Sequence, residues 1–235
     1  MLAVVVVVPW LAVFAYRSTQ SRAQIAFFTV ASALTGIAVF VAIAWRIAHG
    51  TAFAAADQLA LDAIRTHMPS FAAPVFARLT HLGDPPTLTA LCAVFCAISL
   101  IARHFKLALY LAITTAAGGA INHALKTLMR RERPADAFVP IPESFAFPSG
   151  HTFGSIVCYG MCAYVLMRLA PRRWDAPIIA IACALVLLIG MSRVVIGVHF
   201  PGDVIGGFAA GGAWLALCIG TAEMARRRSV DVTAR

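Results

Sequence analysis

Eight residues that could bind and transfer a phosphoryl group fall into three groups along the chain. In order they are Lys126 and Arg133; Ser149, Gly150 and His151; and Arg193, His199 and Asp203. A phosphomonoester carries charge on its non-bridging oxygens, so its transfer depends mainly on positioning and on neutralising that charge. The three groups supply three cations, a hydroxyl and a backbone N–H for those oxygens, and they leave two imidazoles and one carboxylate.

The second group lies where a helix is expected to begin. Pro148 cannot continue a preceding helix, Ser149 is a good N-cap, and Gly150 lets the backbone approach a ligand closely. His151 then falls in the first turn, where free N–H groups and a partial positive charge attract anions. Alone, this tetrapeptide is more typical of a capped turn with an interfacial histidine.

The cations of the first and third groups differ in geometry. Arg133 and Arg193 can each fork onto two oxygens, whereas Lys126 acts as a point charge. Lys126 and Arg133 are seven residues apart, so they share a face if the helix before Pro134 continues that far. Singly, these three residues are equally explained as membrane-edge anchors.

His199 and Asp203 are four residues apart, with Pro201 and Gly202 between them. The pair is therefore predicted to meet across a turn rather than along a regular helix. A purely structural hydrogen bond is the alternative.

The composition indicates an integral membrane protein. Of 235 residues, 61% are hydrophobic and 12% are charged, against roughly 25% charged in a typical soluble domain. The net charge of +9 would favour nucleic acid in a soluble protein, but most Lys and Arg lie in short loops between apolar segments, as topology signals or phosphate ligands. All six cysteines lie within apolar segments, which predicts packing rather than disulfides or a metal site.

Six apolar segments predict an all-α polytopic membrane helix bundle with six core transmembrane helices. They cover residues 25–45, 87–102, 107–125, 152–167, 177–191 and 204–225. We assign residues 25–225 to one membrane domain, 1–24 to an apolar extension with a basic turn, and 226–235 to a basic tail. Residues 1–16 fit an extra helix, a signal-like segment or part of a misplaced start. The polar and apolar residues of 46–86 predict either short amphipathic helices at the membrane surface or a connecting loop.

The loops also predict an orientation. Most basic loop residues fall on one side of a six-span topology, which is therefore expected to be cytoplasmic. The opposite face carries all three groups, and its Lys126, Arg130, Arg131 and Arg133 break the charge rule. A bound phosphate explains this exception.

Together, the three groups resemble the three-part motif of the type 2 phosphatidic acid phosphatase family, which is related to vanadium haloperoxidases and glucose-6-phosphatase. The matching residues are Lys126, Arg133 and Pro134; Pro148, Ser149, Gly150 and His151; and Ser192, Arg193, His199 and Asp203. The resemblance implies that His199 is the nucleophile, that Asp203 orients it, and that His151 protonates the leaving group and then activates water. It also implies phosphate binding by Lys126, Arg133, Ser149, Gly150 and Arg193.

The resulting prediction is a metal-independent membrane phosphatase with no cofactor, acting on a lipid phosphate or pyrophosphate. The family implies phosphatidic acid, phosphatidylglycerol phosphate, undecaprenyl pyrophosphate or lipid A phosphate as candidates, with no choice among them. A bacterial inner membrane and an extracytoplasmic site are expected; membrane lipids are the expected partners, and oligomeric state stays open. The alternatives are a phosphotransferase acting on another lipid and a non-catalytic lipid-binding or transport protein.

Overall fold

Residues 21–233 are described by a computed structural model, and their regular structure is entirely helical. The α-helices are α1 (Arg22–His49), α2 (Thr51–His67), α3 (Ala72–Leu79), α4 (Pro85–Ile101), α5 (Phe105–Met129), α6 (Gly150–Leu169), α7 (Asp175–Val195) and α8 (Pro201–Thr233). Short 3-10 helices lie at Thr80–Gly83 and Arg172–Trp174. The all-α prediction is confirmed. The interpretations of residues 1–16 fall outside the described residues.

Six long helices correspond to the six predicted spans: α1, α4, α5, α6, α7 and α8. By length and composition, four candidate spans are able to cross a membrane: Arg22–His49, Gly150–Leu169, Arg172–Val195 and Pro201–Arg228. A fifth span results if α4 and the bent segment before it, Ala72–Gly83, are counted together as one span. Helix α5 is 25 residues long but carries Asn122 and His123 near its end, which makes it more polar. A sixth span through α5 stays a prediction.

Helix α6 is the centre of the bundle and packs against α4, α5, α7 and α8. Of the 18 residues that form its most apolar stretch, 72% are buried, against 22% in the corresponding stretch of α1. Small residues permit the close packing: a methyl group at Gly160 would lie 2.3 Å from the Leu215 Cδ2 atom of α8. Helix α1 packs along the outer side of α8, where a methyl at Gly36 would lie 2.6 Å from the Ala209 carbonyl oxygen.

The segment between α1 and α4 is helical, so the loop alternative is wrong. Helix α2 buries Asp57 and Leu61 on its inner side and exposes most of its other residues, as expected of an amphipathic helix. Helix α3 and the following 3-10 turn meet α4 at a 46° bend, which forms a broken span or re-entrant loop. The bend lies at Asp84, immediately before Pro85 and Pro86, because two successive prolines favour a helix start and cannot continue a preceding helix.

One end of the bundle collects the chain segments that carry the candidate site. There α5 and α7 end, α6 and α8 begin, and residues 130–149 connect α5 to α6. Backbone hydrogen bonds hold these segments together: Ser149 N donates to Asp203 O at 3.0 Å, and Phe138 N donates to Ile196 O at 2.9 Å. At the other end of the chain α8 continues to Thr233, so the predicted basic tail begins as a helix.

Candidate active site

Lys126 and Arg133 come together by a route that the sequence did not predict. Helix α5 ends at Met129 rather than continuing through Arg133, because Arg130 takes a left-handed conformation with φ of 48° and caps the helix. Arg133 therefore reaches the site from the loop. Its Nη2 donates to the Phe145 carbonyl oxygen at 3.4 Å, and the Lys126 Nζ donates to the same oxygen. The two cations converge although they do not share a helix face.

The guanidinium of Arg133 also fixes the protonation of His199. Its Nη1 lies 2.8 Å from the Val198 carbonyl oxygen and 3.0 Å from His199 Nε2. A guanidinium can only donate hydrogen bonds, so His199 Nε2 must accept with its lone pair and the ring proton must be on Nδ1. The unprotonated nitrogen of His199 therefore faces the cation cluster.

Asp203 holds the other nitrogen of that ring. His199 Nδ1 lies 3.3 Å from Asp203 Oδ2, which also accepts from Phe200 N at 2.9 Å. His199 precedes α8 and Asp203 lies in its first turn, so the prediction that they meet across a turn is confirmed. Both side chains are buried, and the carboxylate is positioned to keep the Nδ1–H tautomer.

Burial and nearby charge keep His199 neutral. Burial of the ring, together with the positive charges of Arg133, Arg193 and Lys126, lowers the pKa of His199 well below its usual value. The cations of the first and third groups therefore lie around one imidazole. The neutral form, with an unprotonated Nε2, is the form that an imidazole nucleophile requires.

Arg193 lies in the last turn of α7 and is 4% exposed. Its Nη1 donates to Thr80 Oγ1 at 2.6 Å, so the 3-10 turn before α4 supports it. Its buried Nε–H has no hydrogen-bond partner in the described part of the chain. A buried donor without a partner is costly, and an anion bound at this site would satisfy it.

The second group forms the start of α6 as predicted, with Ser149 at the N-cap position and Gly150 and His151 in the first turn. The Ser149 hydroxyl accepts from Thr152 Oγ1 at 3.0 Å instead of capping a backbone N–H. Gly150 is needed for close approach: a methyl there would lie 3.1 Å from Asn122 Oδ1 and 3.5 Å from Lys126 Cε. Thus α5 and α6 place Lys126 beside the α6 N-terminus.

Four residues that contact this site were not assigned to it from the sequence: Asp57, Thr80, Asp84 and Arg131. Arg131 donates to Asp203 Oδ1 at 2.7 Å and to Asp57 Oδ2 at 2.8 Å, and it stacks over Phe200 with its Cζ 4.4 Å from the ring centroid. Asp57 Oδ1 accepts from Gly202 N at 2.8 Å. The signal for Asp57 and Asp84 was present, since a carboxylate in a membrane-facing segment is costly unless it is paired.

No group of three or more His, Cys, Asp or Glu side chains within the described residues converges in a way that could hold a metal ion. The cations, the two imidazoles and the paired carboxylates instead form a pocket for an anion. Lys126, Arg133 and Arg193 are the cations that this arrangement offers to an anion beside His199.

Comparison with known proteins assigns the family. The family model of the PAP2 superfamily matches residues 107–227, a stretch that contains all three groups. The chain belongs to the PAP2 superfamily. Phosphatidylglycerophosphatase B of Bacillus subtilis (strain 168) is 33% identical over 139 residues, which cover 58% of this chain and 68% of that protein.

Two further comparisons agree with that membership in the PAP2 superfamily. A lipid A 1-phosphatase of Rhizobium etli is 38% identical over 118 residues, which cover 46% of this chain and 47% of that protein. The crystal structure of a transmembrane PAP2 type phosphatidylglycerolphosphate phosphatase from Bacillus subtilis has a TM-score of 0.78 at 29% identity, covering 82% of this chain and 96% of that one. The predicted resemblance is confirmed, and the chain is an integral membrane phosphatase of this superfamily.

Proposed function

We propose that this membrane phosphatase hydrolyses the phosphate ester or pyrophosphate of a lipid through a phosphohistidine on His199. The observation that carries the proposal is the lone pair of His199 Nε2, which faces Arg133 at 3.0 Å inside a group of three cations. The sequence prediction assigned the same roles, and the geometry supports them.

In the first step, the lipid phosphate binds with its oxygens on Lys126, Arg133 and Arg193. His199 Nε2 attacks phosphorus, an N–P bond forms, and the P–O bond to the lipid breaks. The imidazole keeps its Nδ1–H on Asp203, which stabilises the positive charge that develops on the ring. His151 gives its proton to the leaving oxygen, so the lipid departs as an alcohol or, from a pyrophosphate, as a monophosphate.

In the second step, water replaces the lipid. His151, now neutral, takes a proton from the water while the water oxygen attacks phosphorus. The N–P bond breaks, inorganic phosphate forms, and His199 Nε2 regains its lone pair. The Gly150 N–H and the Ser149 hydroxyl lie at the N-terminus of α6 and complete the set of donors for the phosphate oxygens. Every residue returns to its starting protonation state.

Four lipid classes remain candidates: phosphatidic acid, phosphatidylglycerol phosphate, undecaprenyl pyrophosphate and lipid A phosphate. Two relatives are named for their action on phosphatidylglycerol phosphate and on the 1-phosphate of lipid A. Selection among the lipid headgroups is expected to depend on the segment 46–86 and on the 135–147 loop.

The test is a phosphate-release assay over these four lipids with the purified protein in excess EDTA. We expect release from at least one lipid without added metal, and His199→Ala is expected to abolish it. Activity that is lost in EDTA and restored by Mg²⁺ would contradict the metal-independent mechanism, and wild-type activity in His199→Ala would favour the non-catalytic alternative. Transfer of label to a second lipid without inorganic phosphate would identify a phosphotransferase.

We further propose that the site faces the extracytoplasmic side of a bacterial inner membrane. The basic turn after α4 and the basic residues around Arg172–Trp174 lie at the end of the bundle opposite to the site. Positive loop residues near membrane helices remain on the cytoplasmic side. The cations at the site end are involved in the pocket, so they do not oppose this orientation.

A further inference from the structure

Asp84 is a third carboxylate at the site, beside Asp203 and Asp57, and the family motif does not include it. Asp84 occupies the N-cap position of α4, yet its side chain makes no capping hydrogen bond. Both of its oxygens contact imidazoles instead: Oδ1 lies 2.7 Å from His151 Nε2, and Oδ2 lies 2.7 Å from His81 Nδ1. An N-cap residue ordinarily satisfies the free N–H groups of its helix, so this arrangement is not explained by helix capping.

The contact with Asp84 sets the tautomer of His151. An ionised carboxylate only accepts hydrogen bonds, so His151 Nε2 must carry a proton. His151 Nδ1 makes no hydrogen bond to any residue that the structure describes, so it is the nitrogen left for the substrate side. Neutral His151 therefore presents a lone pair at Nδ1, and protonated His151 presents an Nδ1–H.

The two histidines of the site are thus held in opposite tautomers by two carboxylates. Asp203 keeps the proton of His199 on Nδ1, which leaves Nε2 unprotonated and facing Arg133, the nitrogen that attacks once a phosphate takes the Arg133 hydrogen bond. Asp84 keeps the proton of His151 on Nε2, which leaves Nδ1 to give and take a proton. A nucleophile and an acid–base group need these complementary forms.

The charges around His151 show why a carboxylate is required there. Arg193 of α7 and Arg133 of the loop after α5 lie near His151, and their charges disfavour a positive charge on its ring. Asp84, from the start of α4, is the negative group that opposes them. Gly83 permits the contact, since a methyl there would lie 3.1 Å from His151 Cδ2.

We infer that Asp84 is a positioning residue for the acid–base histidine, holding His151 with its Nε2–H on the carboxylate and stabilising the imidazolium that protonates the leaving lipid oxygen. The inference rests on the proposed function. His81 holds the second oxygen of Asp84, but its side chain is 71% exposed and its contribution is small. When the Nδ1 proton leaves His151 and later returns from water, Asp84 stays ionised throughout.

The test replaces the charge of Asp84 while keeping its shape. Asp84→Asn is expected to lower kcat for lipid phosphate release by about 10- to 100-fold, which is part of the roughly 100- to 10,000-fold that general acid–base catalysis contributes, because His151 itself is retained. KM should change less than about 3-fold, because the three phosphate-binding cations are untouched. The alkaline limb of the kcat pH profile should move to lower pH, since the imidazolium loses its carboxylate. Asp84→Glu should recover most of kcat.

Controls separate this role from folding and from the proposed function. Asp62→Asn changes an exposed carboxylate of α2 that is not among the buried residues of that helix, Asp57 and Leu61, and that accepts a hydrogen bond from Gln58; it should keep kcat within about 2-fold. If the Asn variant does not fold, Asp84→Ser makes the same test with a capping hydroxyl. If the wild type is active and the Asn or Ser variant has the same kcat and the same pH profile, the inference about Asp84 is overturned while the proposed function stands. A wild-type protein that releases no phosphate would overturn the proposed function instead.

Discussion

At the scale of single residues, the site depends on which atom of each imidazole carries a proton. Arg133 cannot accept a hydrogen bond, so its contact with His199 requires a lone pair on Nε2. Burial and three neighbouring cations lower the pKa of His199, so protonation does not remove that lone pair at neutral pH. A bound phosphate can then be attacked without a prior proton transfer from the nucleophile.

This protonation state predicts the pH dependence of activity. Because its pKa is lowered, His199 stays neutral in mildly acidic solution. The acidic limb of the kcat/KM profile that arises from the enzyme should therefore have an apparent pKa below about 6.5, the ordinary value for histidine. Because phosphate monoesters titrate near pH 6, the profile must be expressed per concentration of substrate dianion. The measurement is kcat/KM from about pH 4 to 8 with a soluble short-chain lipid phosphate. An acidic limb that arises from the enzyme with an apparent pKa at or above about 6.5 would contradict the assignment of a neutral, buried nucleophile.

At the scale of helices, the site is formed where α6 and α8 approach at their N-termini. Gly207 of α8 faces the start of α6, and a methyl there would lie 2.8 Å from the Ser149 carbonyl oxygen. Gly206 faces Phe147, where a methyl would lie 2.3 Å from ring atom Cε2. These glycines let the loop carrying Ser149 lie directly against α8, beside Asp203.

Gly207→Ala should therefore disturb catalysis more than stability. The added methyl must push the Ser149 backbone away from α8, which displaces the α6 N-terminus from the cations. We expect kcat to fall by about 10- to 100-fold, since a displacement near 1 Å can cost about 100-fold in rate. The measurement is phosphate release together with thermal unfolding in detergent.

Gly119→Ala is the matched control for that substitution. Gly119 lies within α5, and a methyl there meets no atom within 4 Å. Its kcat should stay within about 2-fold of the wild type, and alanine is the better helix former. Equal losses of activity in Gly119→Ala and Gly207→Ala would show that close packing of α6 on α8 does not determine the activity of the site.

The sequence predicted the long helices and the converging groups, because apolar length and motif spacing are properties of the linear chain. The condition that α5 continues as far as Arg133 is not met, because Arg130 adopts a left-handed conformation that a non-glycine residue rarely takes and that the sequence does not signal. The sequence prediction also missed Asp84 and Arg131. Their partners lie 67 and 72 residues away along the chain, and only folding brings them together.

At the scale of the whole molecule, all the site segments lie at one end of the bundle, and the basic turns lie at the other. Arg131 links Asp203 of α8 to Asp57 of α2, so the segment between α1 and α4 is part of the support of the site. Helix α2 and the loop before α6 therefore border the pocket on the same side of the membrane. Headgroup selection and catalysis are expected on a single face.

Single cysteine substitutions test which side of the membrane the site faces. Glu143 lies in the exposed loop before α6, and Arg173 lies in the exposed turn before α7 at the opposite end, so the variants are Glu143→Cys and Arg173→Cys. A membrane-impermeant thiol reagent added to intact cells should label the first variant and label the second only after permeabilisation. The unmodified protein, whose six cysteines lie within helices, is the background control. The reverse labelling pattern would place the site on the cytoplasmic side.

The central claim is a covalent phosphate on His199, and the most direct measurement is to trap it. The purified enzyme is mixed with lipid labelled in its phosphate, quenched rapidly in alkali, and digested for peptide mapping. We predict a label that is stable in alkali and lost in acid, as an N–P bond requires, located on the peptide containing His199 and absent from His199→Ala. Rapid turnover by the wild type with no protein-bound label, or an unchanged label in His199→Ala, would contradict the mechanism.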